Sequence, residues 1–137
     1  MAPRDWNEGI IQEFRANQGK VGGMFEGRTL LLLHHTGAKS GKVRVNPLAY
    51  RKDGEAFVVF GSKGGAPTNP DWYHNLMANP SASVEVGTET VKVRARRADP
   101  NERERLWTAQ KRDAPGFADY EGMTTRQIPV VILEPVT

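Results

Sequence analysis

Short segments of alternating or fully apolar residues, separated by glycine-centred turns, constrain the fold of this chain most strongly. The turns fall at residues 37–41, at Asp53-Gly54 and at Gly87. Turns of this kind join antiparallel strands, whereas parallel strands need a long crossover that is usually a helix. Because strands and helices do not alternate along the chain, the pattern disfavours a doubly wound parallel sheet. It predicts a small antiparallel barrel, in which closure removes the exposed strand edges.

About six strands are predicted for this barrel. The four leucines at residues 30–33 are apolar on both faces of their strand, so we expect that strand to be largely buried. Pro47 interrupts the next strand and predicts an edge or a bulge there, since proline has no N–H to donate. The predicted strands cover residues 28–36, 43–51, 55–62, 83–86, 90–97 and 128–133.

About three short helices are predicted between and before the strands. Asp5 and Glu8 resemble a capping box and start a helix that ends near residue 19. Asn69-Pro70 predicts a helix to about residue 78, with Asn69 as its N-cap. The sequence Asp99-Pro100-Asn101-Glu102 predicts a helix to about residue 112. Residues 113–125 are expected to be irregular.

The length and composition indicate one folded domain. A chain of 137 residues can bury roughly two-thirds of the surface that its unfolded form exposes. We expect an N-terminal helix and linker over residues 1–23 and the barrel over residues 24–137. No run approaches the ~20 apolar residues of a membrane span, and the first residues lack the apolar core of a secretory signal. The predicted location is cytoplasmic, with at most peripheral contact with the inner face of the membrane.

Metal-ion and nucleophilic chemistry find little support in the sequence. The chain has no cysteine, which excludes disulfides, iron–sulfur clusters, thiolate zinc sites and a cysteine nucleophile. His34 and His35 are neighbours in a strand and point to opposite faces, so we interpret them as core or edge histidines. Neither Ser40 nor Ser62 lies in the Gly-x-Ser-x-Gly elbow of a hydrolase. No metal site is predicted.

Basic residues concentrate between residues 38 and 52. Five of them fall in this stretch without an acidic residue before Asp53: Lys39, Lys42, Arg44, Arg51 and Lys52. Such a stretch attracts an anion, although lysines that guard a solvated hairpin edge are the alternative. The glycine-rich loops at residues 39–42 and 62–65 each combine exposed backbone N–H groups, a hydroxyl and a lysine. This combination suits phosphate or carboxylate binding.

The order of residues in three blocks resembles the deazaflavin-dependent nitroreductase family. The resemblance implies a mainly β (α+β) fold, a six-stranded antiparallel split β-barrel. It also implies binding of the 8-hydroxy-5-deazaflavin coenzyme F-420 and hydride transfer to a small electron-poor acceptor such as a quinone or nitroaromatic. The blocks are Thr36-Gly37-x-Lys39-Ser40-Gly41-x-x-Arg44-Val45-x-Pro47-Leu48, Gly61-Ser62-Lys63-Gly64-Gly65-Ala66-Pro67 and Asn69-Pro70-x-Trp72-Tyr73-x-Asn75-Leu76-x-Ala78-Asn79-Pro80.

The resemblance implies which residues bind the cofactor. Lys39 and Arg44 match positions that hold its phosphate and oligoglutamate tail. Pro47 and Trp72 match residues that line the deazaflavin, although a core aromatic is the alternative for Trp72. The loop at residues 62–65 matches the segment at the phosphate and the ring. The predicted cofactor-binding set is Lys39, Ser40, Arg44, Asn46, Pro47, Gly61, Ser62, Lys63, Gly64, Gly65, Asp71 and Trp72.

Tyr120 and Ser62 are the predicted catalytic residues, because Tyr120 matches a substrate-side tyrosine of the family. Packing of Tyr120 beside Phe117 is the competing interpretation. The chain departs from the family at Ala38, where many members carry an arginine, and at Ala49, where many carry a larger side chain. The first change removes one contact to the tail, and the second enlarges the pocket.

Three alternatives to this function remain open at the level of sequence. The first is a split-barrel oxidoreductase that binds FMN, and the second is a carrier that binds the cofactor without turnover. The third is a nucleic-acid binder, which is disfavoured because Tyr50 is the only aromatic residue among the basic residues. The expected partner is a small-molecule electron acceptor, and both a monomer and a homodimer are compatible with the sequence.

Overall fold

The computed structural model describes residues 3–19, 30–62, 65 and 68–136. Within these ranges the chain forms six strands and four helices. In chain order they are α1 (Pro3–Ala16), β1 (Leu30–Thr36), β2 (Val43–Asp53), β3 (Ala56–Phe60), α2 (Asp71–Ala78), β4 (Ser81–Val86), β5 (Glu89–Arg97), α3 (Pro100–Asp113), α4 (Gly116–Gly122) and β6 (Val130–Pro135).

The six strands form the antiparallel barrel that the turn pattern predicts. Their order around the barrel is β1-β2-β3-β6-β5-β4, and pairing of β4 with β1 closes it. Gly41, Gly54 and Gly87 have φ values of +71°, +62° and +58°. Glycine adopts this left-handed region without a steric penalty, which explains why the chain reverses at these positions.

Both faces of β1 are buried, as its apolar run predicts. Leu31 and Leu33 point into the barrel and join the interior core, to which α2 contributes Trp72, Tyr73 and Leu76. Leu30 and Leu32 point outward and pack beneath two apolar residues of α1, Ile10 and Phe14. A second outer cluster lies between the barrel and the α3–α4 pair. The helices therefore cover the barrel on the outside, except for α2, which contributes to the interior core.

The barrel is closed and β2 is not an edge strand, but Pro47 lies in a part of β2 that pairs on one side within the described sheet. Residues 43–49 of β2 are in register with β1, and pairing with β3 begins only at Tyr50. Pro47 lies opposite Leu32 in a stretch where β2 has one strand neighbour. The missing N–H of proline therefore removes no ladder bond on the unpaired side.

Several predicted boundaries are wrong by a few residues. The first helix begins at Pro3, not at Asp5, and β3 ends at Phe60 instead of residue 62. The last strand covers Val130–Pro135, two residues later than predicted. The segment expected to be irregular contains the fourth helix, α4. Of the helices in the described ranges, none is long and apolar enough to cross a membrane.

Candidate functional site

The turn between β1 and β2 carries three cations that form no ion pair with any residue that the structure describes. Backbone hydrogen bonds from Gly37 N to Lys42 O (2.8 Å) and from Gly41 N to Gly37 O (3.0 Å) fix the turn. Lys39, Lys42 and Arg44 are exposed, and within the described part of the chain their side chains make no hydrogen bond or ion pair. By contrast, Arg96 binds two carboxylates. We name residues 37–44 the cationic turn.

Buried polar side chains connect the cationic turn to α2. His35 Nε2 donates to Asn46 Oδ1 at 2.6 Å, and Asn75 Nδ2 donates to His35 Nδ1 at 3.1 Å. Asn75 Oδ1 in turn accepts from the backbone N–H of Ala38 at 2.9 Å. Burial lowers the pKa of His35, so the ring is neutral at physiological pH and can accept through Nδ1. The network thus fixes the first residues of the turn to the barrel end.

Arg126 holds the loop that follows β3. Its guanidinium donates to the carbonyl oxygens of Gly61 (3.1 Å) and Ser62 (2.8 Å) and to Asn69 Oδ1 (2.6 Å). The predicted N-cap role of Asn69 is therefore wrong. Its side-chain oxygen is bound to Arg126, and the N-cap of α2 is Pro70, which has no side-chain capping bond.

The same loop approaches α4 closely at Gly65. A Cβ at this position would lie 2.8 Å from the side chain of Met123 and 3.2 Å from the carbonyl oxygen of Tyr120. The φ of +85° at Gly65 adds a second reason for glycine. At Gly61 a Cβ would lie 2.7 Å from Pro129 Cγ. Close packing therefore accounts for both glycines, whatever the loop binds.

Tyr120 lies at the wall of a cavity of about 600 Å³ between β2 and the α3–α4 pair. We name this space the Tyr120 cavity. Its wall includes Ala49, and the small side chain leaves the volume open. Arg51 also lines it, with its guanidinium held by Gln110 Oε1 (3.2 Å) and Asp113 Oδ2 (3.0 Å). The cavity thus combines a phenol, a fixed cation and apolar surface.

A continuous set of contacts joins the cationic turn to the Tyr120 cavity. Asn75 binds the turn and belongs to α2, while Asn69, just before α2, binds Arg126. Arg126 binds Ser62, and the loop continues to Gly65 against Tyr120. Residues predicted from separate sequence blocks are therefore neighbours along one side of the barrel.

The structure places the remaining predicted residues in different surroundings. Trp72 is 5% exposed in the interior core, so the packing interpretation accounts for most of its surface. Asp71 is exposed in the first turn of α2, and Ser40 Oγ accepts from Lys42 N within the turn. Lys63 and Gly64 lie outside the described residues. The described residues include no group of three or more side chains that could hold a metal ion.

The sequence did not identify two residues that organise this site. Asn75 falls in a family-like block, but nothing in the local pattern shows that it bonds the turn 37 residues earlier. Arg126 follows an irregular segment and gives no local indication that it binds the loop at residues 61–69. Both act across long sequence separations, which local patterns do not encode.

Comparison with known proteins agrees with this architecture. The F420H(2)-dependent quinone reductase family matches residues 8–135. An F420H(2)-dependent quinone reductase of Mycobacterium tuberculosis is 40% identical over 124 residues, which cover 88% of this chain and 83% of the relative. The solved structure of an F420-H2 dependent reductase, FDR-A, is 40% identical with a TM-score of 0.70, and the match covers 77% of this chain and 93% of that one.

A further solved structure, described as a domain-swapped dimer, is 35% identical with a TM-score of 0.73, and the match covers 97% of this chain and all of that one (100%). With TM-scores of 0.70 and 0.73, the two solved structures share the fold of this chain. Together with the match over residues 8–135, these identities show that the chain belongs to the F420H(2)-dependent quinone reductase family.

Proposed function

We propose that this chain transfers a hydride from reduced coenzyme F-420 to a quinone, which binds in the Tyr120 cavity. The observation that carries the assignment of the site is the continuous set of contacts from the cationic turn to that cavity. It supports a ligand that is anionic at one end and reacts at the other. The alternative with FMN is not favoured, because the matching family and relatives are named for the deazaflavin.

The positive charge of the residues in the cationic turn complements the negative charge of the cofactor. F-420 carries a phosphodiester and several carboxylates, and the cationic turn offers Lys39, Lys42 and Arg44, which pair with no carboxylate in the described part of the chain. Charge-assisted hydrogen bonds to such groups are about twice as strong as neutral ones. Of the set predicted from sequence, the residues of the cationic turn and of the loop after β3 would hold the cofactor, whereas Trp72 packs mainly in the interior core. When bound, the cofactor supplies the hydride.

The protein's own contribution is to position the acceptor and to stabilise the charge that develops on it. A quinone oxygen becomes negative as hydride arrives at the ring, and a donor fixed in advance lowers the barrier. Tyr120 can donate its phenolic proton, while Arg51, whose charge is paired with Asp113, lines the same cavity with a guanidinium held in place by Gln110 and Asp113. Ser62, the other predicted catalytic residue, lies buried at the base of the neighbouring loop.

Stopped-flow oxidation of the reduced cofactor tests this function. With menadione present, the absorbance of the oxidised deazaflavin should appear at a rate proportional to enzyme, and deuterium on one face of C5 should slow its appearance by a primary isotope effect. A panel of quinones, nitroaromatics and enones defines the acceptor class. Tight cofactor binding without turnover of any acceptor would instead identify a carrier. Tighter binding of FMN than of the deazaflavin would establish the flavin alternative.

We further propose that the chain forms a homodimer. The support is the 35% identical structure described as a domain-swapped dimer, whose full length matches this chain. Light scattering during size exclusion should give twice the 15.2 kDa of one chain. A mass that stays at that of one chain at all concentrations tested would reject the dimer.

A further inference from the structure

A second cavity, of about 440 Å³, lies on the outer face of β1, β4 and β5. We name it the outer-face cavity. Its floor is set by strand register, because Ser81 lies directly opposite Arg94 and Ser83 opposite Lys92. Alternation along the strands sends these four side chains outward, since the residues between them face inward: Val93 belongs to the interior core and Ala82 packs against it.

This cavity is positively charged, unlike the surfaces on either side of it. Lys92 and Arg94 make no ion pair or side-chain hydrogen bond within the described residues, and the described lining includes no carboxylate. On one side, Glu85 is paired with Arg15 (2.6 Å) and His34 (2.5 Å). On the other side, Arg96 is paired with Glu102 (2.7 Å) and Glu134 (2.9 Å). Between these two paired groups, the unpaired positive charge on β5 therefore comes from Lys92 and Arg94 in the cavity.

Hydroxyl groups complete a set of donors around these two cations. Ser81, Ser83 and Thr36 line the cavity, and none of their side chains hydrogen-bonds to another of the residues that the structure describes. Ammonium and guanidinium groups can only donate, and hydroxyls can donate as well. A group with several acceptor oxygens and negative charge satisfies such a set. Carboxylate and phosphate are the chemical classes that fit.

The outer-face cavity is continuous with the cationic turn. Two of its wall residues, Thr36 and Val43, are the last residue of β1 and the first of β2. They flank the six residues that carry Lys39 and Lys42, and Lys42 is the direct neighbour of Val43. One residue of strand spans roughly 3.3 Å, so the distance from Lys42 to the cavity wall at Val43 is short. A chain of carboxylates that is held at the turn can therefore extend into the cavity.

We propose that the outer-face cavity binds the distal carboxylates of the cofactor's oligoglutamate tail through Lys92 and Arg94. This inference rests on the proposed function, because the cofactor must first be held at the cationic turn. Each further glutamate adds one carboxylate, and the cavity provides two cations and three hydroxyls to receive them. The cavity would thus make affinity depend on tail length.

The test compares two ligands on the wild-type chain and on the double variant K92A/R94A. The ligands are coenzyme F-420 with a tail of several glutamates and the deazaflavin without glutamates, each titrated by tryptophan fluorescence. Two partly exposed ion pairs correspond to a loss of roughly 3- to 30-fold in affinity for the long-tailed form. Affinity for the tail-less form should not change. Arg105→Ala, which removes a cation paired with Asp53 elsewhere on the surface, is the matched control.

Free anions provide the second arm of the experiment. A short polyglutamate peptide should compete with the long-tailed cofactor on the wild-type chain and compete less on the double variant. Unchanged affinity for the long tail, or an equal loss for both ligands, would overturn the inference. So would competition by inorganic polyphosphate combined with no effect of tail length, because the cavity would then bind free anions instead. If the wild-type chain binds neither deazaflavin, the proposed function fails and this inference fails with it.

Discussion

Tyr120 shows how one residue supports two interpretations at once. Its ring packs against Phe117 with centroids 5.4 Å apart, as the competing interpretation predicts, and it also lines the Tyr120 cavity, as a donor to the acceptor requires. Tyr120→Phe separates the two roles, because it keeps the ring and removes the hydroxyl. A donor role predicts that kcat falls by about tenfold or more, equivalent to ~1.4 kcal/mol of transition-state stabilisation.

Cofactor affinity and thermal stability are the control measurements for Tyr120→Phe. The affinity for the cofactor and the melting temperature of the protein should both stay within error of the wild type, since neither depends on the hydroxyl. Phe117→Leu, which disturbs the packing but leaves the phenol, should lower the melting temperature more than Tyr120→Phe does. Equal turnover of Tyr120→Phe and wild type with several quinones would leave the residue as packing alone.

His35 makes a prediction about pH. Burial lowers its pKa in the folded state below the ordinary value near 6.5. The unfolded chain therefore takes up a proton that the folded chain does not, and the free energy of unfolding decreases as pH falls below about 6.5. The maximum slope for one such proton is about 1.4 kcal/mol per pH unit.

Urea unfolding at pH 7.5 and pH 5.5 measures this dependence. His35→Gln keeps a polar side chain at this position and cannot titrate, so its unfolding free energy should vary less between the two pH values. Identical pH dependence in wild type and His35→Gln would assign the effect to another group.

At the scale of elements, predictions succeeded where the signal was local and complete. Asp99 accepts from Glu102 N at 2.8 Å while the Glu102 side chain accepts from Asp99 N at 3.1 Å, which is the capping box that the sequence predicts. Helix α4 has no such box, because its N-cap is Pro115 without a side-chain cap. It is held instead by tertiary bonds from Trp107 Nε1 and Lys111 to Glu121, which local patterns do not show.

Arg126 connects several elements, and we expect its substitution to reduce both stability and cofactor binding. Arg126→Ala leaves the carbonyls of Gly61 and Ser62 without their guanidinium donor, and each unsatisfied buried group costs about 1–3 kcal/mol. We expect a lower free energy of unfolding and weaker cofactor binding, because the loop at residues 61–69 loses its attachment.

Arg97→Ala serves as the comparison for this loss. Arg97 is exposed and makes one long hydrogen bond of 3.4 Å to Gln127, so its removal should change the unfolding free energy by less than about 0.5 kcal/mol. Chemical denaturation and cofactor titration measure both quantities. The organising role of Arg126 would be rejected if Arg126→Ala matched Arg97→Ala in both measurements.

At the scale of the whole molecule, the barrel could be predicted from sequence more completely than the site. Turn glycines and strand alternation act between near neighbours and determine the antiparallel order. The site depends on contacts such as Asn75 to Ala38 and Arg126 to Ser62, which span 37 and 64 positions. The candidate residues were found from their chemistry and from family resemblance, whereas their connection to one another required the fold.

The distribution of paired and unpaired charge leads to the last prediction. Five arginines of the described residues pair with carboxylates, while Lys39, Lys42 and Arg44 at the turn make no ion pair with any described residue. Lys39→Ala and Arg44→Ala should each weaken cofactor binding by roughly 3- to 100-fold, since charge-assisted bonds contribute about 1.5–3 kcal/mol before solvent screening.

Because the screening length falls from about 10 Å at 0.1 M salt to about 3 Å at 1 M, wild-type affinity should also fall as salt rises. The two variants should show a shallower salt dependence, and Arg105→Ala should keep the wild-type one, because its charge is paired with Asp53. Turnover at saturating cofactor should respond little to salt, since the quinone is neutral. Affinity that is insensitive both to salt and to these substitutions would remove the cationic turn from the cofactor site.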